Sequence, residues 1–141
     1  MRVLGVDVGS RRVGLAISDP SRTLARPLST LSVDSEDDAV TKLVETIARL
    51  AAEPDGLGSV VIGLPASLDG SANEATRRVR RFVEAVRSRS AIPIDTEDER
   101  LSSREAESRL AMRERNWRKR KARLDAAAAA IVLQDYLDRD R

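Results

Sequence analysis

The chain has 141 residues, which is enough for one domain with a sizeable hydrophobic core. It contains no cysteine and no histidine, which excludes disulfides, thiolate metal sites and imidazole-based triads and leaves carboxylates for acid–base or metal chemistry. The formal net charge of +2 indicates no class of partner by itself. With no signal-peptide pattern and no apolar run near the roughly 18 residues of a membrane helix, we expect a soluble, cytoplasmic protein with no membrane partner.

The first predicted element is a β-hairpin. Residues 2–8 (RVLGVDV) form an apolar run with one carboxylate, Asp7, and a Gly-containing turn leads to a second β-rich run at 13–18. Both runs are too apolar for a solvated face, so we expect them centrally in a sheet that is covered on both sides. A carboxylate in that setting is costly unless it is paired, hydrogen-bonded or metal-bound. Asp7 therefore either caps the turn through its side chain or belongs to a functional site.

The elements that follow alternate between strands and helices. We expect an edge strand at 26–33, an amphipathic helix from 34–36 to Pro54 and a buried parallel strand at 60–64. A helix at about 73–88 and a short strand at 92–95 follow. The rest is predicted to be a charged loop at 97–100, a helix from about 102, a flexible loop at 112–120 and a last helix at about 123–137. This order predicts an α/β fold, in which an antiparallel hairpin unit is extended by parallel strands through right-handed crossovers. We find no linker or repeat and expect a single domain over 1–141.

Three acids stand out by their position in these elements. Asp7 ends the first strand, Glu99, with Asp98 as its alternative, follows the fifth strand, and Asp125 begins an otherwise apolar, alanine-rich helix. Each also has an ordinary interpretation: Asp125 as a solvated or dipole-stabilising residue at a helix start, and Glu99 as part of a solvated loop. The positions alone leave these alternatives open.

Four motifs occur together in one order: GVDVGSRRVGLAISD at 5–19, VIGLP at 61–65 followed by Asp69-Gly70, DERLS at 98–102, and the helix pattern Lys121-x-x-x-Asp125-Ala126. The chain thereby resembles the YqgF-type family of pre-16S rRNA nucleases, which is also described as Holliday-junction-resolvase-like. The resemblance covers essentially the whole chain. It implies an RNase H-like three-layer fold, with a five-stranded mixed sheet flanked by helices, and a nuclease site that depends on Mg²⁺ or Mn²⁺.

Carried over to this sequence, the resemblance implies that Asp7, Glu99 and Asp125 hold the metal and that Lys121 lies four residues before the helix aspartate. Hard carboxylate oxygens suit Mg²⁺ and Mn²⁺, and such ions both activate water and stabilise a leaving oxyanion. If Lys121 shares the helix of Asp125, its ammonium either contacts a substrate phosphate or forms an ordinary helical salt bridge. Position 128 is alanine where many RNase H-like nucleases carry a fourth ligand, so the second metal is either held weakly or held with the help of Asp98.

A basic segment precedes the last helix. Residues 109–123 contain eight Lys or Arg against one acid, Glu114. Such a block binds backbone phosphates whatever their sequence, and Trp117 within it either stacks on an unpaired base or anchors the segment. The candidate nucleic-acid contacts are Arg11 and Arg12 of the hairpin turn, Arg100 of the DERLS motif, and Trp117, Arg118, Lys119 and Arg120.

The leading interpretation is a metal-dependent endonuclease that processes the 5′ end of precursor 16S rRNA, with the substrate implied by the resemblance. The alternative is a Holliday junction resolvase that cleaves branched DNA as a dimer, which needs two symmetric sites; we expect a monomer or homodimer. Two further classes are an ATP-binding domain, whose phosphate loop also follows an Asp-x-Gly strand end but needs a second domain, and a nucleic-acid-binding protein with a vestigial site, which would be expected to lack one of the acids.

Overall fold

The computed structural model of the chain describes residues 1–65, 74–98 and 117–139, with residues 117–123 described by their backbone alone. In chain order the elements are β1 (Arg2–Val8), β2 (Arg12–Ser18), β3 (Ala25–Ser32), α1 (Glu36–Ala51), β4 (Leu57–Leu64), α2 (Glu74–Arg89), β5 (Ile94–Asp98) and α3 (Trp117–Arg139). The five strands form one sheet in the order β3-β2-β1-β4-β5. Pairing is antiparallel across β3-β2-β1 and parallel across β1-β4-β5, which confirms the predicted α/β arrangement.

The two faces of the sheet carry two hydrophobic clusters because side chains alternate along each strand. Leu4 and Val6 of β1 pack with apolar residues of α1 and α2, whereas Val3 packs with Leu133 and Leu137 of α3. The sheet is therefore the middle layer between α1–α2 and α3. The central hairpin strands are buried on both faces, as their apolar composition predicts.

Local signals explain several element boundaries. The hydroxyl of Ser35 accepts a hydrogen bond from the amide of Asp38 at 3.0 Å, so Ser35 caps α1 where the sequence predicted the helix start. Pro27 lies in the edge strand β3, beside a register shift in its pairing with β2. Proline is tolerated there because an edge strand leaves some amides without a partner strand.

Strand β5 differs from the prediction, since it spans Ile94–Asp98 and not 92–95. The parallel ladder with β4 continues as far as Leu64 opposite Asp98, so Glu97 and Asp98 belong to a strand and not to a loop. Backbone pairing with a fully buried neighbour strand outweighs the charged composition of this edge strand. The helix expected from about 102 lies outside the described residues.

Helix α3 also begins earlier than predicted. It starts at Trp117, so 117–120 are helical and the predicted loop is wrong there, while 112–116 lie outside the described residues. Residues 117–139 contain neither Gly nor Pro, and Arg, Lys and Ala are good helix formers that need no apolar periodicity. Despite its 23 residues, neither α3 nor any other helix in the described ranges is apolar enough to cross a membrane.

Candidate active site

Asp7 lies on the α3 face of the sheet, at the carboxyl end of β1. In the antiparallel ladder Asp7 is paired with Gly14 of β2, and two residues earlier Gly5 is paired with Ala16. Ala16 belongs to the cluster packed against α3, and directly paired residues share a face. Asp7 is therefore the last α3-facing residue of β1.

Glycines at two of these positions let α3 approach the sheet closely. A Cβ built on Gly14 would lie 2.0 Å from the carbonyl oxygen of Asp125, and a Cβ built on Gly5 would lie 2.7 Å from the Cβ of Leu133. Any side chain at Gly14 would overlap the helix backbone. The turn of α3 that contains Asp125 thus rests on β2 beside Asp7, and the helix brings Asp125 to the same face and the same edge as Asp7.

The Asp125 carboxylate is paired with Arg12 of β2. The Nε of Arg12 donates a hydrogen bond to Oδ2 of Asp125 at 3.0 Å, and both side chains are about one-quarter exposed. Arg12 was predicted to contact phosphate. The structure places its guanidinium on one of the candidate carboxylates, where it offsets the negative charge of Asp125.

The Asp7 carboxylate is half-buried and forms no hydrogen bond or ion pair with the residues that the structure describes. The hairpin turn is closed instead by the backbone, where the amide of Gly9 donates to the carbonyl of Arg12 at 2.8 Å. The described contacts therefore give no support to the turn-capping interpretation of Asp7. A carboxylate in this position suits a cationic ligand.

Strand β5 sends its last two acids, Glu97 and Asp98, to opposite faces of the sheet. Asp98 is paired with Leu64, which packs in the α1–α2 cluster, so Asp98 lies on the face opposite to Asp7. Glu97 is paired with Gly63 and shares the α3 face. Asp98 is thus placed away from the Asp7 face.

Sequence reasoning missed Glu97, which is 3% exposed. The Nη2 of Arg139 lies 2.9 Å from its Oε1, yet this oxygen accepts no aligned hydrogen bond from the described residues. Burial raises the pKa of Glu97, and nearby Asp135 and Asp98 raise it further, while Arg139 lowers it. Glu97 and Ile94 lie three residues apart in one strand, so they face opposite sides of the sheet. This alternation can be recognised only when the strand is known to extend to Asp98.

The other predicted site residues are described in part or lie outside the described residues. Glu99 and Arg100 lie outside them. Lys121 shares α3 with Asp125, one helical turn before it, and the same helix contains Trp117, Arg118, Lys119 and Arg120. Ala128, one turn after Asp125, is buried. Within the described ranges, no group of three or more acids is placed to hold a metal ion.

Comparisons with known proteins extend this picture. Over residues 1–139 the chain matches the family described as "RuvX: Holliday junction resolvase". It is 43% identical to a protein of Maridesulfovibrio salexigens over 99% of both chains. It is 41% identical to a protein of Dictyoglomus thermophilum over 98% of this chain and 96% of that one. Each of these relatives is named "Putative pre-16S rRNA nuclease". Among solved structures, Thermus thermophilus RuvC in complex with a Holliday junction substrate is similar, with a TM-score of 0.54 and 16% identity over 99% of this chain and 96% of that one. The fold is thus the RNase H-like α/β fold expected from the sequence.

Proposed function

Because the chain belongs to the RuvX family, we propose that it is a divalent-metal-dependent endonuclease that cleaves precursor 16S rRNA near its 5′ end. Membership of a nuclease family supports a hydrolase that acts on nucleic acid. The rRNA substrate is taken from the names of the relatives, and a cytoplasmic location follows from that substrate. The domain that carries this activity is proposed to span 1–141.

The observation that carries the proposal is the convergence of Asp7 and Asp125 on one face of one sheet edge, through the contact of α3 with Gly14. Two carboxylates on separate elements are the oxygen donors that Mg²⁺ and Mn²⁺ prefer. The donor set therefore fits such a metal, with Asp7 and Asp125 as ligands and Glu99 proposed as the third. When bound, divalent ions supply an activated water and stabilise the charge on the leaving oxygen.

The surrounding cations have separate proposed roles. Arg12 orients the Asp125 carboxylate and neutralises it before metal is bound. Lys121 precedes Asp125 by one turn of the same helix, which supports a role in contacting the phosphate next to the cleaved bond. Phosphates further along the strand are proposed to be neutralised by five cations, Arg11, Arg100, Arg118, Lys119 and Arg120. Trp117 is proposed to stack on an unpaired base.

The test is cleavage of matched RNA and DNA substrates in Mg²⁺ or Mn²⁺ by the wild type and by Asp7→Asn. We expect the wild type to cut precursor rRNA and Asp7→Asn to lose activity while it stays folded. Asp55→Asn is a matched control, because Asp55 is an exposed acid in the loop before β4, at the opposite edge of the sheet. An Asp7→Asn variant that cuts at the wild-type rate would refute the proposed site.

The second candidate function is a Holliday junction resolvase, which the description of the family favours. Such an enzyme must place two active sites symmetrically on a four-way junction and therefore acts as a dimer. Light scattering of the purified protein, together with cleavage of a four-way DNA junction, separates the two functions. A dimer that cuts the junction and leaves precursor rRNA intact would replace the leading proposal with this one.

A further inference from the structure

A cavity of about 180 Å³ lies at the same sheet edge as Asp7, on the α1–α2 side. Its walls come from residues 8–10, which directly follow Asp7, from the start of α1 with Val33, and from Arg78 and Phe82 of α2. One water molecule needs about 10–15 Å³ of such volume, so the cavity has room for one sugar or base ring but not for a helix or a strand. Its lining residue Val8 is the chain neighbour of Asp7, on the opposite face of β1.

Helix α2 contributes Arg78 to the lining of this cavity and carries Arg77 and Arg81 next to it. The hydroxyl of Thr76 donates to the carbonyl of Pro65, which fixes the first turn of α2 at the carboxyl end of β4. Arg77 and Arg78 follow, and neither forms a hydrogen bond or an ion pair within the described ranges. Arg81, one turn later, is 60% exposed and lies 3.7 Å from Glu74, a pair that is too exposed to neutralise it fully. The first half of α2 therefore presents a positive surface, Arg77, Arg78 and Arg81, beside the cavity.

The cavity lining combines groups that suit a nucleotide. It includes the cation Arg78, the acid Glu36 and the hydroxyl residues Ser10 and Ser35. Val33 and Phe82 add apolar surface. A phosphate matches the arginine, hydroxyl or amino groups match the carboxylate, and a ring matches the apolar side chains. A free anion would gain nothing from the carboxylate.

We propose that this cavity, with Arg77, Arg78 and Arg81, binds the nucleotide of the RNA strand adjacent to the cleaved phosphate. This inference rests on the proposed nuclease function and adds a subsite to it. The substrate strand crosses the sheet edge, with its cleaved phosphate beside Asp7 on the α3 face and its neighbour in the cavity on the α1–α2 face. The arginines of α2 thereby act together with the basic first turns of α3 on two sides of one edge.

The test is binding of a labelled single-stranded RNA in Ca²⁺ buffer, with salt titrations of the wild type, Arg78→Ala and Arg89→Ala. Arg89 is a matched control, because it is an exposed arginine on the same side of α2, 11 residues or about 16 Å away, where it donates to Thr41 of α1. We expect Arg78→Ala to weaken binding and to lower the slope of log affinity against log salt by about 0.7 per lost phosphate contact. Arg89→Ala should bind like the wild type.

A second variant tests the cavity without changing charge. Ala39→Leu places extra atoms at a buried residue that lines the cavity, so it should weaken RNA binding and leave the salt slope unchanged. The melting temperature of Ala39→Leu shows whether this variant is folded. If Ala39→Leu does not fold, Arg78→Ala, which is a surface change, still tests the subsite. Equal affinities and slopes for Arg78→Ala and Arg89→Ala would overturn the subsite, even where wild-type cleavage upholds the nuclease. A wild type that neither binds nor cleaves RNA would refute the proposed function itself.

Discussion

At the scale of single residues, the guanidinium of Arg12 forms an ion pair with the carboxylate of Asp125. It donates at 3.0 Å from the neighbouring strand, on the same face as Asp7. A metal ion bound by Asp7 and Asp125 would supply the same positive charge. The Arg12 pair is therefore expected to matter most when no metal is bound.

We predict that Arg12→Ala lowers the free energy of unfolding in EDTA by about 0.2–1 kcal/mol, the usual range for a partly exposed pair. The difference should shrink in excess Mg²⁺ or Mn²⁺, because the metal replaces the lost charge. Urea unfolding with and without metal measures both effects. Arg11→Ala is the control, since Arg11 is exposed and forms no ion pair within the described residues. A deficit for Arg12→Ala that stays constant in metal would contradict this account.

Glu97 leads to a prediction about pH. Burial raises its pKa above the ordinary 4.5, so the native state holds this proton more tightly than the unfolded chain does. Its contribution to the unfolding free energy is then fully present below pH 4.5 and is lost as the pH rises through the raised pKa. Glu97→Gln should remove this loss and be more stable than the wild type at neutral pH in EDTA.

Urea unfolding of both proteins across this pH range measures the effect. Glu45→Gln, an exposed change on α1, is the control and should follow the wild type. A Glu97→Gln variant that is less stable than the wild type at neutral pH would show that the contact with Arg139, at 2.9 Å, outweighs the cost of burial.

At the scale of elements, the packing of α3 on the hairpin decides whether the site forms. The close approach depends on Gly14, above which the carbonyl of Asp125 leaves no room for a Cβ. Alanine is otherwise compatible with a strand, so the effect of a substitution there is steric. The helix, and Asp125 with it, must move away from Asp7.

We therefore predict that Gly14→Ala lowers the free energy of unfolding by about 1–3 kcal/mol, as overpacked sites do, and abolishes cleavage. Chemical denaturation and a cleavage assay measure the two losses. Gly58→Ala in β4 is the matched control, because its Cβ would lie 3.2 Å from the Cβ of Met1, an exposed first residue that needs to shift by only a few tenths of an ångström. Wild-type cleavage by Gly14→Ala would show that α3 does not need this contact.

The first turns of α3 form a second functional element of the proposal. We predict that joint replacement of Arg118, Lys119 and Arg120 by alanine weakens binding of unrelated RNA sequences alike and lowers the salt slope by up to about 0.7 per contact on single strands. Salt titration of binding measures the slope. A control triple on Arg26, Arg49 and Arg89 removes the same charge from exposed positions away from the candidate edge. If both triple variants lose RNA affinity equally, the cations of α3 contribute only through the net charge of the protein and not through specific phosphate contacts.

At the scale of the whole molecule, the proposed metal binding would be coupled to folding, because the proposed ligands Asp7 and Asp125 belong to β1 and α3, which meet only in the folded chain. We predict that Mg²⁺ or Mn²⁺ raises the melting temperature, with about 2.7 kcal/mol of stabilisation at 100 times the Kd. Asp7→Asn should lose this shift and melt higher than the wild type in EDTA, because repulsion between the carboxylates is relieved. Thermal melts with Asp55→Asn as control check both; an unchanged metal shift in Asp7→Asn would exclude Asp7 as a ligand.

The sequence by itself determined the α/β class, most of the elements and the family. Continuous apolar runs identified β1, β2 and β4, a 3.6-residue stripe identified α1, and Ser35 marked its start. These features are local, because an apolar run, a helical stripe and a cap depend on neighbours within a few residues. The C-terminal end of β5 and the start of α3 were predicted less well. Both stretches are rich in charged residues, which lack the apolar pattern that identifies a strand or a helix in a sequence.

Only the tertiary structure decided which side chains share a face. Asp98 and Glu97 are adjacent in sequence, yet the register with Leu64 and Gly63 sends them to opposite faces of the sheet. The Arg12–Asp125 pair joins residues 113 positions apart, and its existence depends on a helix seated over Gly14. Strand register and helix seating result from the packing of the whole core, so no local pattern encodes them.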